Sequence, residues 1–154
     1  MGMNHDLIGH AYPASEPFVV TAENISAFAS AIGDSNPIYH DAQYAKSLGH
    51  NSVCAPPTFP IVATMAAMEK SFHDPALNMD YSRMVHSDQR FEYQRPIRVG
   101  DELVVVTIIE DIKVLGSNDI ATFRTEVTSH GEPVVTGWSK LVVRGADSRL
   151  SFLT

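Results

Sequence analysis

At 154 residues, 44% hydrophobic and 19% charged, the chain has the length and balance of one globular domain with a real core. A formal charge of −7, from 18 acidic against 11 basic residues, speaks against nucleic acid and anionic membrane surfaces as partners, because both call for a basic face. The lone Cys54 leaves no disulfide framework and no cysteine metal site, residues 1–10 lack the apolar segment of a leader, and no run of about 18 apolar residues offers a membrane span, so a cytoplasmic protein is expected.

Residues 1–16 are rich in polar and turn residues, and the apolar run at 17–20 suits a first strand. Thr21 then caps a helix of about three turns, with Glu23 in its first turn and Gly33 after its last. Ile25, Phe28, Ala29 and Ile32 recur in it at i, i+3, i+4 and i+7, a stripe expected to face the core. A loop at 34–40 follows, then a short helix over about 41–48, capped by Asp41 and closed by Gly49. Pro56 and Pro57 mark a boundary, since proline lacks the amide donor and constrains its predecessor. From Thr58 to about residue 72 the sequence is apolar nearly all round, with Pro60 tolerable in the first turn; such a helix must be surrounded by protein.

Four β-type segments, at about 84–93, 102–115, 119–129 and 134–144, supply that surround. Turn signals at Val99-Gly100-Asp101, Gly116-Ser117-Asn118 and His130-Gly131-Glu132 join them, and short connections imply antiparallel neighbours. The result is an α+β architecture in which a long antiparallel sheet wraps around a central apolar helix, the hot-dog fold. It is expected as a single domain over 1–154, with a core at about 8–145 and a loose tail at 146–154.

Alternation over 84–93 places Val85, Ser87, Gln89, Phe91 and Tyr93 on one face and His86, Asp88, Arg90 and Glu92 on the other. The His86 face is either a solvated strand face or a polar patch at a ligand entrance, and Gln89 on the apolar face needs a buried partner. Arg83, Arg90, Arg95 and Arg98 are either a cluster able to hold phosphates or an acidic protein, or a plain surface distribution. The seven histidines lack ligand spacing, and there is no G-x-S-x-G elbow or Gly-rich phosphate loop, so neither metal nor cofactor is expected.

Three motifs occur in order: Asp34-x-Asn36-Pro37; then Ala55-Pro56-Pro57-Thr58-Phe59; then Val85-His86-Ser87-Asp88-Gln89-x-Phe91-x-Tyr93-x-Arg95-Pro96 with Gly100-Asp101. On these the chain resembles the MaoC-like (R)-specific hydratase and dehydratase superfamily over about residues 8–145. More narrowly, it is similar to the N-terminal-type dehydratase domain of actinobacterial (3R)-hydroxyacyl-ACP dehydratase subunits. The resemblance implies a protomer that forms a homodimer, or a heterodimer with a catalytic MaoC-like subunit, around an acyl thioester of CoA or acyl carrier protein. Hydration beside a thioester needs one group to move a proton at C2 and another to handle the C3 oxygen, and an Asp and a His on one turn can supply both. Asp34 and His40 are the candidates for those roles, with Asn36, Tyr39, Pro57, Thr58, His86 and Gln89 as candidates for binding the thioester.

The sequence departs from that pattern twice. Members with full machinery carry the His five residues after the Asp; here Tyr39 holds that place and His40 lies one further on, which on a turn redirects the side chain. A phenol titrating near pH 10 is a poor replacement base, and Asp34 is equally suited to capping a turn. The family also stabilises the developing enolate with a backbone N–H at the start of the central helix, on a Gly after a His. Here those positions are Pro57 and Pro56, and the missing donor is worth roughly 3 kcal/mol, about a hundredfold in rate. The Thr58 N–H and the positive end of the helix dipole remain.

The expectation is therefore an auxiliary subunit in fatty acid synthesis that binds the acyl thioester and shapes the acyl tunnel for a catalytic partner. The alternatives are an autonomous (R)-specific enoyl-CoA hydratase using Asp34 and His40, a non-enzymatic acyl-thioester binder, and a hot-dog thioesterase with Glu69 as base. Phe59, Met65, Met68 and Phe72 read as core by their spacing, or in part as tunnel lining.

Overall fold

The computed structural model describes residues 2–145; the expected tail at 146–154 lies outside the described residues. In chain order the elements are β1 (Phe18–Val19), α1 (Ala22–Ala31), α2 (Ala42–Ser47), α3 (Ile61–Phe72), β2 (Met84–Tyr93), β3 (Glu102–Leu115), β4 (Asn118–Ser129) and β5 (Glu132–Val143), with short 3-10 turns between. Thr21 and Asn24 form a reciprocal capping box at the start of α1, and Asp41 accepts from the Gln43 and Tyr44 amides to start α2. No side chain caps α3. Its entry is a tight turn in which Ile61 N–H donates to the Thr58 carbonyl and Val62 N–H to that of Phe59, so the helix starts three residues later than the sequence reading, with Pro60 as its N-cap.

All five strands form one antiparallel sheet in the order β1-β3-β4-β5-β2, with α3 lying across β3 and β4, the hot-dog arrangement. The turn at 99–101 corrects one expectation. It does not join paired neighbours; it carries the chain from β2, paired with β5 at one edge, to β3, next to β1 at the other. Gly100, at φ 93°, makes the reversal there, and its N–H donates to the Val20 carbonyl while Val20 N–H donates back to that of Asp101. Short connections govern only β3, β4 and β5, whose links at 116–117 and 130–131 turn through positive φ at Gly116, His130 and Gly131.

The core divides in two. One cluster gathers Ile25, Phe59, Ala63, Leu103, Val105 and Val134; the other gathers Met68, Phe72, Ile109, Phe123, Leu141 and Val143. Burying a side chain the size of Phe59 or Phe123 contributes about 2–3 kcal/mol. Buried polar residues separate the clusters: Thr64 between Ala63 and Met68 on α3, and Thr107, Thr125 and Ser139 in the sheet. Ile32 does not join the α1 stripe and is 51% exposed, because the stripe meets the core only through Ile25, Ala29 and the half-buried Phe28. Nor is α3 enclosed. Ala66, Glu69 and Lys70 face out, and Ile61, Val62, Met65 and Ala67 are half-buried, since one sheet covers one flank of a helix. No helix is long and apolar enough to cross a membrane among the described residues.

Strand alternation also fails at one point in β2. A bulge at Ser87 shifts the register between His86 and Asp88, so His86 pairs with Leu141 while Asp88 pairs with Lys140. Paired residues share a face, and Leu141 is buried, so His86 belongs to the row of Gln89, Phe91 and Tyr93 rather than to that of Asp88. The extra residue displaces Val85 from the core face, and Val85 is 41% exposed.

Candidate functional site

The loop after α1 is built from side-chain turns. Asp34 Oδ1 accepts from Asn36 N–H at 3.0 Å, and Asn36 Oδ1 accepts from Ile38 N–H at 3.1 Å, starting the 3-10 turn Pro37–Tyr39. His40 then falls with both ring nitrogens engaged. Nε2 lies 3.0 Å from the Asp34 carbonyl, which can only accept, so Nε2 carries the proton and Nδ1 accepts from Ser26 Oγ at 2.7 Å. The imidazole is therefore turned toward α1 and holds the loop.

Tyr39, one residue earlier, points the other way into a cavity of about 540 Å³ between the 36–39 turn, the 50–57 segment and the end of β2. Asn36, Tyr39 and Pro57 line that cavity; Asp34, His40, Thr58, His86 and Gln89 do not. Burial first, then the charge of Asp34, hold the Tyr39 hydroxyl above the ordinary phenol range, so it is a donor at neutral pH. Beside it the Tyr93 hydroxyl, pushed up by burial and then by Tyr39, donates to the Pro57 carbonyl at 2.7 Å. Where the family pattern has an amide donor, this chain presents a carbonyl already engaged by Tyr93. The Thr58 N–H has no partner among the described residues, and Thr58 is exposed outside the cavity.

His86 is exposed, with Nε2 3.0 Å from the Asp88 carbonyl. Gln89 has the buried partner the sequence called for, its Oε1 accepting from Ser139 Oγ at 2.6 Å. Glu69 stands exposed on the open flank of α3. Arg95 closes one wall of the cavity and is locked to Asp101 by two hydrogen bonds, at 2.9 and 2.7 Å. Burial alone would push the Asp101 carboxyl up; the Arg95 guanidinium, the Arg98 N–H and Ser129 outweigh it and hold the group below the usual carboxylate range.

Among the cavity residues that the sequence did not single out as site residues are Tyr93 and Gln94 at the end of β2, His50 in the loop after α2, and Cys54. His50 had no spacing signal, since its place in the wall depends on an N–H bond to the Ala45 carbonyl and on the Pro96 segment packing opposite. Cys54 is buried, and burial pushes its thiol up while Arg98 partly offsets that, so it is a thiol rather than a thiolate nucleophile. Among the described residues no three His, Cys, Asp or Glu side chains are placed to share a metal ion. A largely apolar cavity with hydroxyl, imidazole and amide groups, but no paired carboxylate and imidazole facing into it, is equipped to hold a chain and orient its polar end.

Against known proteins, the family model of the FAS1-like dehydratase domain region matches residues 6–137. A UPF0336 protein of Streptomyces coelicolor, SCO4636, is 49% identical over 148 residues, covering 96% of this chain and 99% of that one. A UPF0336 protein of Thermobifida fusca is 47% identical over 146 residues, covering 94% and 96%. Among solved structures, a MaoC-like dehydratase superposes with a TM-score of 0.84 at 31% identity, over 92% of this chain and 43% of that one. The C-terminally truncated HadBC (3R-hydroxyacyl-ACP dehydratase) complex of Mycobacterium tuberculosis gives 0.78 at 27% identity, over 89% and 97%. Curled sheet, motif order and relatives converge, and the chain belongs to the FAS1-like dehydratase-domain family, as a MaoC-like hot-dog dehydratase domain.

Proposed function

We propose that this chain is a single-domain, cytoplasmic auxiliary subunit of a (3R)-hydroxyacyl-ACP or acyl-CoA dehydratase in fatty acid synthesis. It binds the acyl thioester, shapes the acyl tunnel and pairs with a catalytic MaoC-like partner. The observation that carries the reading is the double engagement of His40: with Nε2 donating to Asp34 and Nδ1 accepting from Ser26, the imidazole has no nitrogen free to move a substrate proton. The Pro57 carbonyl, standing where an oxyanion donor is needed, supports it. So does the likeness to HadBC, a dehydratase that is a complex of two kinds of chain.

The rival reading, an autonomous hydratase, requires His40 to leave both partners and turn into the cavity it does not line. A passive thioester binder shares the first half of the proposal and differs only in having no catalytic partner. The test is hydration of a short trans-2-enoyl-CoA, followed by loss of enone absorbance, with wild type and His40→Ala, each alone and with a catalytic MaoC-like subunit. No turnover is expected alone, and addition of either form to the partner is expected to raise its rate at least about tenfold through substrate positioning. Hydration by the isolated chain that His40→Ala abolishes would overturn the proposal, and a partner rate that the chain leaves unchanged would reduce it to the passive binder.

A further inference from the structure

The four arginines of residues 83–98 end in different circumstances. Arg83 pairs with Asp80 at 2.7 Å, Arg90 lies 4.0 Å over the Trp138 ring, and Arg95 is locked to Asp101. Arg98 differs. Its backbone N–H donates to Asp101, but its guanidinium has no carboxylate, carbonyl or ring partner among the described residues. Asp101 is already neutralised by Arg95, so the Arg98 charge is uncompensated on a chain whose net charge is −7.

That guanidinium borders a second cavity, about 270 Å³, together with His50, Asn51, Ser52 and Cys54. The His50 imidazole likewise has no partner among the described residues. The two cavities share His50, Cys54 and Pro96 in their walls, so they lie side by side. The first is walled by Ile38, Ala55 and the tyrosine rings, its one cation, Arg95, being locked to Asp101; the second is walled by the unpaired Arg98, an imidazole and small polar groups. Neighbouring cavities, one largely apolar and one with an unpaired cation, fit an elongated ligand that carries an anion.

We infer that Arg98 and His50 form an anion site for the phosphate of a 4′-phosphopantetheine arm, the group common to CoA and to a carrier protein. The larger, mostly apolar cavity holds the less polar part of the same ligand. This rests on the thioester reading above.

The experiment is a calorimetric titration of the full chain with three ligands carrying one acyl group: the pantetheine thioester, the 4′-phosphopantetheine thioester and acyl-CoA, with the acylated carrier protein as a fourth arm. The phosphate is expected to tighten binding roughly tenfold, the worth of a charge-assisted hydrogen-bonded contact. Arg98→Gln is expected to erase the difference between the first two ligands, while Arg83→Gln, whose side chain is paired elsewhere, retains it. Loss confined to acyl-CoA or to the acylated carrier assigns the phosphate to that source, and loss in both assigns it to the shared arm. If the pantetheine and phosphopantetheine thioesters bind equally, or the preference survives Arg98→Gln, the anion site is wrong while thioester binding stands. If no thioester binds, both readings fall.

Discussion

Asp101 is 5% exposed and ionised, a combination that costs free energy unless every lone pair is used, and here Arg95, the Arg98 N–H and Ser129 use them. A carboxyl held below its unfolded value of about 3.9 stabilises the fold above that pH and loses the contribution as pH falls through the folded value. Asp101→Asn is therefore expected to cost on the order of 3 kcal/mol in urea unfolding at pH 7, because it strands the Arg95 guanidinium, 20% exposed, without its counter-charge. The difference from wild type is expected to narrow below about pH 4, and a gap independent of pH would show that shape rather than charge is lost. The two residues were legible in the sequence as motif positions, Arg95-Pro96 and Gly100-Asp101, but not as a pair. Their meeting depends on the chain doubling back from β2, at one edge of the sheet, to β3, one strand in from the other edge. The same limit applies to His40: its offset from the family position was legible, while its attachment to Ser26, fourteen residues away on α1, is a tertiary fact.

The strands were legible nearly to the residue, because Gly100, Gly116 and Gly131 stand at positive φ where turns require it, and β-branched runs fill the intervals. Their order was not, because a turn signal marks an end without naming the next neighbour. The bulge at Ser87 escaped for a related reason: period-2 reading assumes an unbroken strand, and one inserted residue moved His86 to the other face. Gly137 on β5 shows what such packing demands. It pairs with Phe91 on β2 and Thr125 on β4, and a Cβ there would stand 2.5 Å from Thr125 Oγ1 and 3.1 Å from the Phe91 ring. Thr125 is β-branched and buried, so it cannot swing aside, and Gly137→Ala is expected to destabilise by about 2 kcal/mol in thermal or urea unfolding. Because Thr125 Oγ1 is the nearest obstruction, Gly137→Ala combined with Thr125→Ala is expected to cost less than the two changes added separately. Strict additivity would locate the strain elsewhere.

At the scale of the molecule, two surfaces are unfinished in the same way. The sheet ends at β1, two residues long, and at β2, ten residues long, so only β2 leaves an extended row of unpaired N–H and C=O groups. Ile61, Val62 and Met65 remain half-exposed on α3, although the sequence reads as though protein surrounded that helix. The mismatch between an all-round apolar helix and a one-sided cover is what a paired subunit would resolve, and it was legible before the structure as composition without an address. Val85, displaced by the bulge to 41% exposure, stands on the free strand and gives the address a test. Light scattering is expected to find this chain at twice its 16.9 kDa mass or more, with itself or with a catalytic MaoC-like subunit. Val85→Lys places a charge on that strand, the device by which natural edges refuse partners, and is expected to weaken the association at least about tenfold while leaving the unfolding free energy of the separated chain within about 0.5 kcal/mol of wild type. Full association by Val85→Lys would move the interface from β2 to the open flank of α3, where Met65→Lys would then be the disrupting change. A chain monomeric under both conditions would leave the half-covered helix as a ligand surface of one subunit and remove the partner from the proposed function.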